Sequence, residues 1–193
     1  MDNSKCVFVL RNWIYYGRFA EIVSIINGTK TEYFLEGSTI LAEKTGSNVT
    51  WYIYDYDGEI RGMIYNGVPY YYLKNAMGDV VAITDSNYVI QNTYEYDPWG
   101  KLLVIGGTGT IGAVNPIRYR GYYYDAETGF YYVSSRYYDP EIGRWINADN
   151  VIAGVGGDLK GYNLFAYCFN NPVNMDDQTG NWPKWIKKTL LNG

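Results

Sequence analysis

The chain has 193 residues, a formal net charge of −4, 23 tyrosines and no histidine. Lack of histidine excludes Ser-His-Asp and Cys-His triads, HExxH metal sites and imidazole pH switches, so any acid–base chemistry falls to Asp, Glu, Tyr, Lys or Cys. The acidic balance excludes a general basic face for a nucleic-acid backbone. Cys6 and Cys168 are too few for a disulfide scaffold or a Cys-only zinc site, and one disulfide between them stays open. No metal or cofactor is expected.

In chain order, the apolar run Cys6–Leu10 is too short for the hydrophobic region of a signal peptide. No stretch approaches the ~18 apolar residues of a membrane span. The chain is therefore expected to carry no export signal of its own and no membrane span. Residues 14–16 and 33–35 read as strands, with Asn27-Gly28 a turn between them. From Thr50 a rhythm sets in. Strands are expected at 51–54, 59–65, 69–73, 79–84, 88–96 and 101–105. They are punctuated by Asp57-Gly58, Asn66-Gly67, Asn75-Ala76-Met77-Gly78, Asp85-Ser86-Asn87 and Asp97-Pro98-Trp99-Gly100. Gly58, Gly78 and Gly100 recur at nearly constant spacing, the mark of a repeat in which short tyrosine-rich hairpins stack to bury a face that none buries alone. Asp or Asn caps each turn and Gly supplies the positive φ.

Residues 106–112 spell GxGxxG with Gly107, Gly109 and Gly112. The dinucleotide reading is rejected, because Pro116 ends any helix within four residues and no βαβ unit surrounds it; a flexible loop is expected. Residues 118–145 then bring Arg118-Tyr119-Arg120-Gly121, Glu127-Thr128-Gly129-Phe130-Tyr131-Tyr132 and Arg136-Tyr137-Tyr138-Asp139-Pro140 in quick succession. A short helix is expected near 159–169, ended by Asn170-Asn171-Pro172. The tail from Trp182 is amphipathic and basic, with Lys184, Lys187 and Lys188 and no acid. Three lysines read as a solvated face.

The segments Arg118–Tyr132, Arg136–Asp149 and Asn163–Gly180 closely resemble, in order and spacing, the Rhs repeat-associated core. That module closes the repeat region of Rhs and YD-repeat proteins, and the hairpins at 50–105 look like the YD repeats that precede it. The resemblance implies an all-β fold in which antiparallel YD-repeat hairpins form a curved sheet, part of a shell. It divides the chain into N-terminal strands (1–49), repeat hairpins (50–105), the core (115–181) and a remnant of a variable C-terminal region (182–193). It also implies bacterial secreted or cell-surface delivery, and as partners the chain's own C-terminal peptide or toxin segment and further Rhs repeats in cis or trans.

Members of that family cut their own chain after the core. Carried over, the resemblance marks Arg136, Asp149 and Asp177 as catalytic candidates and the bond between Asn181 and Trp182 as the site of cleavage. The chemistry needs no histidine. Two carboxylates in a desolvated pocket share a proton; one activates water, the other polarises the carbonyl, and an arginine orients the pair. Which aspartate is the base stays open. Two positions depart from the family pattern. Gln178 stands for a proline that would fix the backbone, and Asn181 stands for a leucine. Both predict slowed or lost cleavage. Two other readings compete: a surface carbohydrate-binding repeat that uses tyrosines such as Tyr71, and an inactive truncated relic.

Overall fold

The computed structural model describes residues 14–16, 19–26, 28–134, 136–148, 163–181 and 184–185. The described residues fall into two compact units, one within residues 1–71 and 85–88, the other within residues 72–84 and 89–193. The expected antiparallel all-β class holds in both.

The first unit is a meander of β1 (Ile14–Tyr16), β2 (Phe19–Ile26), β3 (Thr29–Glu36), β4 (Thr39–Thr45), β5 (Asn48–Tyr54), β6 (Ile60–Tyr65) and the start of β7 (Val68–Lys74). Each strand pairs antiparallel with the next. Strands β2 and β4 extend the pattern into residues where only two short strands were expected. Period-two alternation decides which side chains are buried. In β5, Thr50 and Tyr52 are buried while Trp51 between them is 56% exposed. The Thr31 and Thr45 hydroxyls meet across β3 and β4 at 2.9 Å.

One turn design recurs. At Asp55, Asn75 and Asp97 the side-chain oxygen Oδ1 accepts the backbone N–H of the residues two and four positions on, at 2.8–3.0 Å. The glycine three positions on donates its N–H to the carbonyl of the capping residue. Gly58, Gly78 and Gly100 sit there at φ +80°, +88° and +88°. The turn at Asp85 closes in the same way: Asn87 N–H reaches Asp85 Oδ1 at 2.8 Å, and the fourth residue donates to the Asp85 carbonyl. That fourth residue is Tyr88, at φ +61° and largely exposed. A left-handed conformation costs a side-chain-bearing residue roughly 1–2 kcal/mol. Tyr88→Gly is therefore expected to stabilise the protein by ~1 kcal/mol, seen as a raised urea midpoint at unchanged slope. An unchanged or lowered midpoint would contradict this.

Gly78 and Gly100 separate conformation from packing. A Cβ on Gly78 would meet nothing closer than 4.0 Å, whereas one on Gly100 would lie 2.6 Å from Tyr119 Cγ. Gly78→Ala should cost only the left-handed penalty of roughly 1–2 kcal/mol. Gly100→Ala should add an overpacking term of about 1–3 kcal/mol. Urea denaturation of the two variants reads the difference directly; equal losses would rule out the packing account.

In the second unit, β8 (Val80–Thr84), β9 (Ile90–Tyr96) and β10 (Leu102–Gly107) pair antiparallel. The glycine-rich stretch that follows is an ordered connection rather than a flexible loop. Gly112 N–H donates to Asn92 Oδ1 at 2.8 Å, and a Cβ on Gly112 would lie 2.6 Å from Asn92 Cγ. A single helical turn, α1 (Ile111–Val114), fits before Pro116. Arg118 caps its C-terminal end, donating to the Asn115 and Ala113 carbonyls while its guanidinium stacks on Tyr124. Of the expected helix at 159–169, residues 159–162 lie outside the described residues, and the remainder ends in a single 3-10 turn, Tyr167–Asn170.

Strands β11 (Tyr123–Asp125), β12 (Phe130–Val133), β13 (Arg136–Asp139) and β14 (Arg144–Trp145) form a second sheet. It lies over a core of Tyr119, Tyr122, Tyr131, Tyr138, Trp145, Tyr167, Cys168 and Met175. Three phenols of this core donate to consecutive carbonyls of the Asp97 turn: Tyr119 to Pro98, Tyr138 to Trp99 and Tyr131 to Gly100, at 2.7–3.0 Å. Tyrosine suits this task, since its ring fills volume and its hydroxyl supplies a donor at the far end to turn carbonyls that no strand satisfies. A last pair, β15 (Met175–Asp176) and β16 (Lys184–Trp185), closes a hairpin around residues 177–183.

Candidate functional site

Two of the three candidate residues, Arg136 and Asp177, occupy the start of β13 and the hairpin after β15. Arg136 lies at the first position of β13 and is buried. Its Nη2 faces Asp177 Oδ2 at 3.3 Å, its Nη1 donates to the Leu164 carbonyl at 3.2 Å, and its Nε donates to the Gly180 carbonyl. The guanidinium stacks 4.1 Å from the centre of the Trp145 ring. A planar fork with fixed donors is suited to reaching a carboxylate and two carbonyls at once.

Asp177 is 1% exposed. Its Oδ1 accepts the Asn181 N–H at 3.0 Å and the Thr179 hydroxyl at 3.4 Å, and Gly180, at φ +69°, donates to its carbonyl at 3.3 Å. This is the repeat turn again: a capping carboxylate, a glycine three positions on, and an amide held four positions on. The parallel extends to the partner. Asp55 caps its turn with Oδ1 and pairs with Arg61 through Oδ2, at 2.6 Å, on the surface. Asp177 divides its oxygens between turn and arginine in the same manner, but buried.

The backbone of Asp177 is held as well. Tyr122 donates its hydroxyl to the Asp177 carbonyl at 2.9 Å and accepts the Asp177 N–H at 3.3 Å. The Tyr167 hydroxyl lies 3.2 Å from that of Tyr122. Burial pushes both phenols well above the ordinary tyrosine range, so both are neutral donors at physiological pH. Cys168 beside them is a free buried thiol, pushed up to about 12 by burial, so little of it is thiolate at neutral pH.

Of the three candidates, the structure brings Arg136 and Asp177 together across 41 residues; Asp149 lies outside the described residues. Asn181 is next to them, held through its N–H, with its side-chain amide turned back on the Thr179 carbonyl at 3.1 Å. Gln178 is exposed. Tyr122 and Tyr167 are not singled out by the sequence, where they lie among many tyrosines. Among the described residues, no cluster of His, Cys, Asp and Glu is arranged to hold a metal ion. No described helix is long and apolar enough to cross a membrane.

Asp/Asn-x-x-Gly turns between antiparallel strands, with a tyrosine core over residues 119–175, are the features of an Rhs/YD-repeat protein. Residues 37–173 match the Teneurin YD-shell family, and the chain belongs to it. It is 38% identical over 165 residues to the tRNA3(Ser)-specific nuclease WapA of Bacillus spizizenii, covering 83% of this chain and 7% of that protein. It is 36% identical over 110 residues to toxin subunit YenC2 of Yersinia entomophaga, covering 56% of this chain and 11% of that one. The crystal structure of TcdB2-TccC3 shares its fold, with a TM-score of 0.58 and 24% identity over 84% of this chain and 8% of that one. The chain thus spans a small fraction of the length of each of these proteins.

Proposed function

We propose that this chain is a segment of a polymorphic-toxin shell, delivered outside a bacterial cell, that cuts its own backbone once between Asn181 and Trp182. The relatives named for toxins support the shell role. The observation that carries the cleavage reading is the double grip of Arg136, which holds the Asp177 carboxylate and the Gly180 carbonyl, one residue before the bond in question. In this reading Asp149 and Asp177 form the acid–base pair. Asp177, paired with Arg136, is the carboxylate that activates water, and Asp149 donates to the Asn181 carbonyl. Water oxygen bonds to the carbonyl carbon, the bond to the Trp182 nitrogen breaks, and that nitrogen leaves protonated. Gln178 and Asn181 make the reaction slow: neither fixes the backbone or fills an apolar pocket as proline and leucine would.

The bond lies in the hairpin closed by β15 and β16, so the cut peptide stays paired to the body through Met175 and Asp176. Intact mass must therefore be read under denaturing conditions. The expected result is loss of the Trp182–Gly193 peptide over time, abolished by Asp177→Asn or Asp149→Asn. A chain that stays whole on prolonged incubation would refute the cleavage reading and leave the shell role standing.

A further inference from the structure

We infer that Tyr122 is a positioning residue for the Asp177 turn, and that Tyr167 in turn fixes Tyr122. The inference rests on the reading of Asp177 as a working carboxylate. A phenol has one hydrogen to give and two lone pairs to receive. The Tyr122 hydroxyl has a neighbour for each: the Asp177 carbonyl takes its hydrogen, the Asp177 N–H fills one lone pair, and the Tyr167 hydroxyl fills the other. With its own hydrogen committed to the carbonyl, Tyr122 must be the acceptor from Tyr167. The chain of donation therefore runs from Tyr167 to Tyr122 to Asp177.

Each group on this path is buried, so water does not substitute for a lost member. The result is a turn held from two sides. Arg136 grips the side chain of Asp177 and the Gly180 carbonyl, while Tyr122 grips both backbone groups of Asp177. With N–H and C=O clamped, the Cα–Cβ bond has one direction, and Oδ2 is aimed at Arg136 and Oδ1 at the Asn181 amide.

The backbone that delivers Tyr167 bears the cost of this arrangement. Cys168, Phe169 and Asn170 all lie in the left-handed region, at φ +49°, +50° and +60°. Three successive side-chain-bearing residues there are strained, and such strain persists only where the surroundings enforce it. Here the turn puts Tyr167 and Cys168 fully inside the core, with the Tyr167 ring 4.2 Å from that of Tyr138.

The test compares Tyr122→Phe, Tyr167→Phe and Tyr138→Phe in the full chain. Tyr138 is a control of equal burial whose hydroxyl serves the Trp99 carbonyl instead. Two quantities are read: self-cleavage rate by mass, and the nuclear magnetic resonance signals of the Arg136 Nε–H and the Asp177 amide. Tyr122→Phe should shift the Arg136 resonance, speed exchange of the Asp177 amide, and slow cleavage on the order of a hundred-fold, the scale expected for loss of fixed geometry. Tyr167→Phe should act in the same direction by less, and it carries the test if Tyr122→Phe does not fold. Tyr138→Phe should leave all three signals at the parent level. Unchanged Arg136 and Asp177 signals in Tyr122→Phe, or equal effects from Tyr138→Phe, would overturn the inference. A parent chain that is never cut refutes the cleavage reading, and the two resonance signals still decide the clamp.

Discussion

Arg136→Leu is expected to destabilise the protein by about 3–5 kcal/mol, because it leaves a buried carboxylate without its counter-ion. The guanidinium is paired with an Asp177 side chain that is fully enclosed, and it also serves the Gly180 and Leu164 carbonyls. Leucine returns apolar contact with the Trp145 ring but none of the donors. Removing both partners should be milder than removing one. In Arg136→Leu/Asp177→Leu no unpaired charge remains, and the loss should fall below the sum of the two single losses. The surface copy of the same pairing provides the contrast. Arg61→Leu, beside the exposed Asp55, should be indistinguishable from the parent in urea. A loss under ~1 kcal/mol for Arg136→Leu would show that water reaches Asp177. It would also remove the physical ground for a desolvated acid–base pair.

That contrast shows what residue patterns disclose and what they hide. The turns at Asp55, Asn75 and Asp97 are legible because the capping hydrogen bonds that define them are local, spanning at most four residues, and only Gly adopts the fourth position without strain. Strand placement from 48 to 107 follows, since turn spacing and alternation leave little choice. The turn at Asp85 is legible by its capping residue alone, because Tyr88 stands where a glycine would announce it. The Asp177 turn carries the same Asp-x-x-Gly signature, yet its partner is 41 residues away. Nothing in the spacing selects Arg136 from the other arginines; the resemblance to a family does so. Tyr122 and Tyr167 are hidden for a different reason. Their role depends on where the hydroxyl points, and in a chain so rich in tyrosine the residue type carries no such information. The left-handed run at Cys168–Asn170 is equally illegible, since Asn170 tolerates that conformation but nothing in Cys168 or Phe169 favours it. The glycines at 106–112 read as slack chain in the sequence, but their small size lets the backbone close on Asn92.

Alkali is expected to unfold the protein cooperatively between about pH 10 and 12. The cause is the tyrosine core itself. Burial pushes Tyr54 and Tyr119 up to about 12 from 10.0, and the Cys168 thiol up to about 12 from 9.0. Tyr96, Tyr122, Tyr131, Tyr138 and Tyr167 are raised further, again through burial. The sign follows from which state holds the proton. A phenol raised in the folded state keeps its proton where the unfolded chain has lost it, so the unfolded state gains the ionisation energy first. The phenols' contribution to stability is whole below about pH 10 and that of the Cys168 thiol below about pH 9, and both decline as pH rises toward the folded values. Each tenfold weakening of an acid on folding corresponds to about 1.4 kcal/mol, and a typical domain has only about 5–15 kcal/mol in total. A few such phenols acting together are enough. The measurement is a pH titration followed by far-ultraviolet circular dichroism and phenolate absorbance. Loss of sheet signal and a steep rise in phenolate should coincide, because the buried hydroxyls that hold the Pro98, Trp99 and Gly100 carbonyls ionise only when the core opens. Tyr119→Phe and Tyr131→Phe should each move the midpoint to higher pH while lowering stability at neutral pH, since each removes one ionisable group together with one buried hydrogen bond. Sheet structure that persists after the phenolate rise would mean that the hydroxyls already meet water, and that tyrosine is abundant here for its ring alone.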